Sequence, residues 1–226
     1  MEKSLNGRIG VLGGTFDPVH LGHLLLAEQA VDRLDLDHVV WIPAAIAPHP
    51  TIKQATHQKH RLEMVQLATA GNPRFLVDDR ELRRGGQSYT VDTLLELHQE
   101  HPAATLLLLM GSDSLAGFPL WREPHRICQL AHVIVIVRGG QPAPDMKILE
   151  RYLPTDFSPV AQENHESGSF SQLVSDHLMQ MPEMEISSTD IRERARLGKS
   201  IRYMVPGAVE AYIQSNGLYG EKSQAG

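Results

Sequence analysis

The chain reads as an α/β protein: a parallel sheet with helices on both faces, followed by a small helical C-terminal section. Three observations predict this. Short apolar runs alternate with helical patterns along residues 1–140. Two of the runs, LLLLM and VIVIV, are apolar without interruption, as expected of strands buried on both sides. The composition is that of a globular chain: 226 residues, 42% hydrophobic and 21% charged, long enough to bury a substantial core.

The elements follow in order. A first strand is predicted at Arg8–Leu12 and an amphipathic helix at Leu21–Leu34. Then come strand His38–Pro43, helix His57–Ala70, strand Arg74–Asp78, helix Thr90–His101 and strand Ala104–Met110. A shorter helix at Glu123–Leu130 and strand His132–Val137 complete the alternation, which demands parallel strands joined by crossover helices. After Arg138, GGQPAPD is a connector, Met146–Leu153 a short helix, and Thr155–Ser175 a polar loop without periodicity. A strand at Met181–Ile186 runs into SSTDIRERARLG, which carries helix signals at both ends: hydroxyls and an acid at its start, basic residues and Gly at its end. A last helix, Pro206–Asn216, has Pro in its first turn and Gly217 beyond its end. No internal repeat is visible. The expected organisation is one domain over 1–226, with a sheet core at 1–140, a connector and loop at 141–180, and a C-terminal section at 181–218.

Composition excludes several classes. No run approaches the roughly 18–20 apolar residues of a membrane span, and MEKSLNGRIG lacks the apolar core of a secretory signal. One cysteine, Cys128, rules out an intrachain disulfide framework, so a cytoplasmic location is expected, with Cys128 a buried thiol. A formal net charge of -6 argues against a nucleic-acid partner. If the substrate is an anion, its cations must be local. Of the 12 histidines, His57, His60, His98, His101, His125 and His177 share no spacing and are expected to face solvent.

The stretch GGTFDPVHLGH at Gly13–His23 is the most informative. A Gly-rich turn between a strand and a helix start gathers N–H groups and a positive dipole end, a setting suited to phosphate. His20 and His23, three apart, share one face of the first helical turn. The turn is not a P-loop, because no Gly-Lys-Ser/Thr follows, and Gly10, Gly13 and Gly14 have the wrong spacing for a dinucleotide fingerprint. Gly22 between the histidines is expected to let a phosphate or base approach the backbone. Read as residues alone, the pair could also be a metal site or two unrelated surface groups. A second helix start, ISSTDIR at Ile186–Arg192, pairs a hydroxyl-rich cap with an arginine one turn on. It is either an ordinary cap or a second anion site.

With GGTFDP upstream, His20-Leu-Gly22-His23 resembles the signature of the nucleotidyltransferase superfamily, whose members share a Rossmann-like sheet. Ser187 through Arg192 is similar to the element that this superfamily places against the triphosphate of ATP. QSYTVDTL at Gln87–Leu94, MGSDSL at Met110–Leu115, Trp121 and the terminal MVPGAVEAYIQSNGLYG, in that order, resemble bacterial nicotinate-nucleotide adenylyltransferases over nearly the whole chain. That resemblance implies transfer of AMP from ATP to nicotinate mononucleotide, giving the deamido dinucleotide and pyrophosphate in NAD biosynthesis, with Mg²⁺ carried by ATP and no dedicated protein ligands.

The resemblance also implies site residues. His20, His23 and Arg192 would be catalytic. Gly13, Gly14, Thr15, Gly22, Gly111, Asp113, Ile186, Ser188 and Thr189 would join them in binding ATP. Gly14, Thr15, Phe16, His49, Thr90, Trp121 and Arg122 would bind the mononucleotide. The chain departs from the family pattern after Pro48-His49, where Pro50 replaces the usual basic residue and Lys53 is the next cation, and at Arg122, where many relatives carry tyrosine. Asp17 is read as structural. A phosphate monoester is already mostly dianionic at neutral pH, with a second pKa of about 6, so the histidines are expected to donate to phosphate rather than move protons. Competing readings are an amidated-nucleotide or phosphopantetheine adenylyltransferase, a non-catalytic nucleotide sensor, and an NAD-dependent oxidoreductase. Association of like chains is compatible with the sequence.

Overall fold

Strands β1 (Gly7–Gly14), β2 (His38–Pro43), β3 (Phe75–Val77), β4 (Ala104–Gly111), β5 (His132–Arg138) and β6 (Leu178–Met181) form one parallel sheet of order β3-β2-β1-β4-β5-β6. The structure, a computed structural model, describes residues 5–48, 55–154 and 176–220. Successive side chains of a strand point to opposite faces, and the sequence uses this to build two cores. Leu12, Trp41, Leu107, Leu109, Ile134 and Ile136 face one core. Ile9, Val11, Val40, Leu106, Leu108 and Val135 face the other.

Helices cover both faces. The first core packs under α1 (Leu21–Leu34), α2 (Gln58–Thr69), and two helices of the C-terminal section described below. A five-residue α3 (Arg80–Arg84) then leads to α4 (Thr90–Glu100). The second core packs under α4, the one-turn α5 (Ser112–Leu115), α6 (Pro124–Leu130) and α7 (Lys147–Glu150). The chain ends in α8 (Ser188–Arg196) and α9 (Gly207–Ser215), which return to the first core through Ile191, Val209 and Ile213.

The predicted α/β class and the element order hold, with local corrections. The last strand lies at Leu178–Met181 rather than Met181–Ile186, because the alternation that pairs with β5 is Met179 and Met181 inward. Helix α3 was absent from the sequence reading; its five charged or apolar residues RELRR are too few to show a period. His177, expected at the surface, is 1% exposed, with Nδ1 2.6 Å from the carbonyl of Val133. Cys128 is buried, which pushes its thiol up to about 12 and leaves it an inert core group. The Thr155–Ser175 loop, His49 and Lys53 lie outside the described residues.

Candidate active site

In a sheet of this order the chain reverses its direction of winding between β1 and β4, and crossover loops diverge at their carboxyl ends. A cleft of about 910 Å³ opens there, floored by Gly13, Gly14, Thr15, Met110 and Gly111. Gly13 turns its missing side chain into open space, with nothing within 4 Å of a Cβ placed there. Gly14 meets the protein instead: a Cβ would lie 3.1 Å from the ring of Phe16, which would have to shift by a few tenths of an ångström. Gly111 likewise admits the Asp113 carboxylate, which would meet its Cβ at 2.5 Å.

The two histidines form one unit. Their rings stack with centroids 3.7 Å apart, and the edge of Phe16 abuts His23 at 5.2 Å. The backbone N–H of His20 donates to His23 Nδ1 at 3.2 Å, so the neutral ring carries its proton on Nε2. Burial above all, then the neighbouring His20 and the Arg138 guanidinium, hold His23 well below its usual 6.5. Burial and then Arg138 bring His20 to about 4. Both imidazoles are therefore neutral near pH 7. They differ in placement: His23 lines the cleft, whereas His20 is 2% exposed and its Nδ1 has no hydrogen-bond partner among the described residues.

The C-terminal section clamps this turn. Arg192 Nη1 donates to the carbonyl of Asp17 at 2.6 Å and Nη2 to Thr189 Oγ1 at 3.1 Å. Ser188 Oγ donates to the carbonyl of Pro18, and the N–H of Leu21 to the carbonyl of Met204. Asp17 is 1% exposed, and its carboxylate accepts from the Tyr219 hydroxyl and the Thr56 N–H. The buried guanidinium of Arg61 donates to the carbonyls of Thr15, Ala45 and Thr56, tying the turn to the loop after β2.

The far end of the cleft is aromatic and polar. Tyr89, Thr90, Trp121 and Arg122 line it. Trp121 leans on Phe118 with centroids 5.4 Å apart, and Arg122 lies over the Tyr89 ring while pairing with Asp92 at 3.2 Å. Beneath them Glu81 is 7% exposed, accepts from Thr93 Oγ1 at 2.6 Å, and is pushed up by burial. Ser88 Oγ accepts from the Ala45 N–H at 2.9 Å, joining the two loops that wall this end.

A polyphosphate-sized cleft with one aromatic end agrees with the motif series, and comparison with known proteins decides the family. The cytidylyltransferase-like family model matches residues 11–194. The "Probable nicotinate-nucleotide adenylyltransferase" of Rhodopirellula baltica is 42% identical over 214 residues, spanning 95% of this chain and 94% of that protein. The chain belongs to the nicotinate-nucleotide adenylyltransferase family. A protein of the same name from Geotalea uraniireducens is 41% identical, over 95% of this chain and 99% of its own. The Plasmodium falciparum nicotinic acid mononucleotide adenylyltransferase complexed with NaAD shares the fold, with a TM-score of 0.71 at 19% identity over 95% of this chain and 98% of that chain. As a member of this family the chain is a nucleotidyltransferase with a Rossmann-like sheet.

The structure brings together Gly13, Gly14, Thr15, His23, Gly111 and Asp113 at one end, and Thr90, Trp121 and Arg122 at the other. The other motif residues are placed differently. His20 and Phe16 are buried behind His23, their rings packed under the turn. Gly22 makes room for His20, whose Nδ1 and Cε1 would lie 3.0 and 3.1 Å from its Cβ. Ile186, Ser188, Thr189 and Arg192 sit outside the cleft lining; Ser188 and Arg192 brace the Asp17–Pro18 turn, and Thr189 accepts from Arg192. Many N–H groups at the start of α1 are occupied by the protein itself, those of His20, Leu21 and His23 included. Sequence reasoning missed Arg138, Glu81, Ser88 and Arg61. Arg138 carried a usable signal, since it is the last residue of a buried strand at the carboxyl edge.

Proposed function

We propose that this chain transfers the adenylyl group of ATP to the 5′-phosphate of nicotinate mononucleotide, forming nicotinate adenine dinucleotide and pyrophosphate in NAD biosynthesis. One observation carries the reading. A single cleft joins the glycine floor and His23 to the Thr90–Trp121 wall, so a triphosphate and a ring-bearing mononucleotide fit head to head across it. The acceptor oxygen bonds to the α-phosphorus as the bond from that phosphorus to the bridging oxygen breaks, and pyrophosphate leaves with the electron pair. The acceptor is already a dianion above about pH 6 and needs no base. His23, neutral and protonated on Nε2, acts as a fixed donor to the phosphates. Arg192 uses two N–H groups in bracing the turn and keeps others of its five for the triphosphate.

Trp121 stacks on the pyridine ring, with Thr90 beside it. Arg122 shapes this end through Tyr89. Among the described residues no group of three or more metal-ligating side chains comes together. In this reading Asp17, with a hydrogen bond accepted at each carboxylate oxygen, holds the turn rather than a metal. Mg²⁺ then travels with ATP, bound by its phosphates and by water. No described helix is long and apolar enough to cross a membrane.

Pyrophosphate release from ATP, measured with nicotinate mononucleotide, its amide and phosphopantetheine in parallel, tests the assignment. Release with the acid nucleotide alone, abolished by a chelator and restored by Mg²⁺, is the expected result. Equal or greater release with phosphopantetheine would overturn it, and no release with any acceptor would favour a nucleotide-binding sensor.

A further inference from the structure

We propose that Arg138 is a catalytic residue of this reaction, a cation that contacts the polyphosphate of ATP and stabilises the charge gathering on the departing pyrophosphate. The inference rests on the adenylyl-transfer reading above. A chain with a net charge of -6 must gather two phosphorylated substrates, and so needs positive charge fixed inside the cleft. The motif histidines do not supply it, since both are neutral near pH 7. Arg192 supplies only part of it, since two of its N–H groups are turned onto Asp17 and Thr189. Two arginines line the cleft, Arg122 and Arg138. Arg122 stands at the aromatic end and is paired with Asp92 at 3.2 Å and Glu123 at 3.7 Å.

Arg138 differs on each count. It is exposed to the cleft, and its guanidinium forms no ion pair or hydrogen bond with the described residues. Two residues before it, Ile136 pairs with Gly111 of the cleft floor, which places it at the phosphate end, and its charge reaches both His20 and His23. Its backbone is fixed: it closes β5 in register with Met181, and Gly139 after it packs so closely on Glu183 that a Cβ would lie 2.5 Å from that N–H. A guanidinium on a rigid strand end, beside a neutral donor and without a carboxylate partner, is arranged to meet an anion. The division of labour is then clear. Arg138 supplies charge, and the same charge helps keep His23 neutral with its Nε2 proton available for donation. No proton moves and nothing is oxidised; the bridging oxygen leaves with its electron pair against the guanidinium.

The test compares wild type with Arg138→Gln and Arg138→Lys, using steady-state kinetics with ATP and nicotinate mononucleotide, direct ATP binding, and added guanidinium. Arg126→Gln, an exposed arginine on α6, is the control. Arg138→Gln is expected to lower kcat about 100-fold or more, the range seen on removing a preorganised charge-stabilising donor. It should weaken ATP binding less, leave the unfolding midpoint unchanged and recover with added guanidinium, with Arg138→Lys intermediate. A kcat within about threefold of wild type, with unchanged ATP binding, would overturn the proposal. So would a loss that neither lysine nor guanidinium repairs. If the wild type transfers no adenylyl group to any acceptor, the reaction assignment fails instead, and ATP affinity decides Arg138: a drop in the Gln variant supports the phosphate contact and equal affinity removes it.

Discussion

The Tyr219 hydroxyl donates to Asp17 Oδ1 at 2.6 Å, joining two residues 202 positions apart. Burial, reinforced by the Asp17 charge, holds the phenol above its usual range, so it remains a donor throughout the working pH. Its partner is 1% exposed, and the backbone carbonyl of that same residue receives Arg192. Removing the hydroxyl leaves a buried carboxylate oxygen without its donor, at a cost of about 1–3 kcal/mol. Tyr219→Phe should lose that much in urea denaturation, and kcat should fall with it because the His20–His23 turn is held through Asp17. Unchanged denaturation would mean that the contact contributes nothing.

Gly22→Ala tests whether the glycine serves the protein or the ligand. Its Cβ would press on His20 at 3.0 Å, and His20 stacks on His23 at 3.7 Å. Displacing the pair by a fraction of an ångström should lower kcat about 10- to 100-fold. Stability should fall by only about 1 kcal/mol, since the helix itself tolerates alanine. A variant that turns over normally would return the role to ligand access.

The neutral histidines fix a pH dependence. His20 titrates at 6.5 when unfolded and at about 4 when folded. The unfolded chain therefore binds more protons between those values, so this contribution to stability is whole above about pH 6.5 and is lost as pH falls through about 4. His23 shifts in the same direction, for the same leading cause of burial. Denaturation midpoints should decline on acidification, and less steeply in His20→Asn. In an NMR titration neither ring of the folded protein should show an inflection near 6.5; one at His23 would contradict its role as a neutral donor.

His23→Ala should separate turnover from folding. The ring is half-buried and contacts Phe16 and His20, so its loss costs a modest amount of packing. As a fixed donor in the transition state it should account for about 100-fold in kcat. Near-normal turnover would exclude that role.

At the aromatic end, Ser88→Ala removes the acceptor of the Ala45 N–H and loosens the two loops that meet there. KM for the mononucleotide should rise about 5- to 10-fold, equivalent to about 1 kcal/mol, with KM for ATP unchanged. Equal effects on both substrates would show that the loops do not act on one end alone.

The sheet and the first turn were legible because their signals are local. An uninterrupted apolar run such as VIVIV states its own burial, and Pro206 or Gly217 punctuates a helix wherever it lies. The last strand was misplaced because Met181–Ile186 has an alternation of its own, and only pairing with β5 selects Leu178–Met181. Helix α3 was invisible because five residues carry no period, and the partners of its buried Arg80 and Glu81, among them Glu100 and Thr93, lie outside it in the chain. Among the site residues, His23 and Gly13 could be named from a motif. Arg138 lies in no motif, and its place at the carboxyl end of a buried strand was the one signal for it.

By itself the sequence determined the α/β order, the glycine turn and the set of motifs that belongs to nicotinate-nucleotide adenylyltransferases, because each is written in residue type and spacing. The tertiary structure decided which motif residues meet the cleft. It put His23 on the lining and His20 behind it, turned Arg192 onto Asp17, and left Arg138 exposed at a strand end. The reason is physical: burial, charge state and hydrogen-bond commitment are set by neighbours far away in the chain, and a motif records only the near ones.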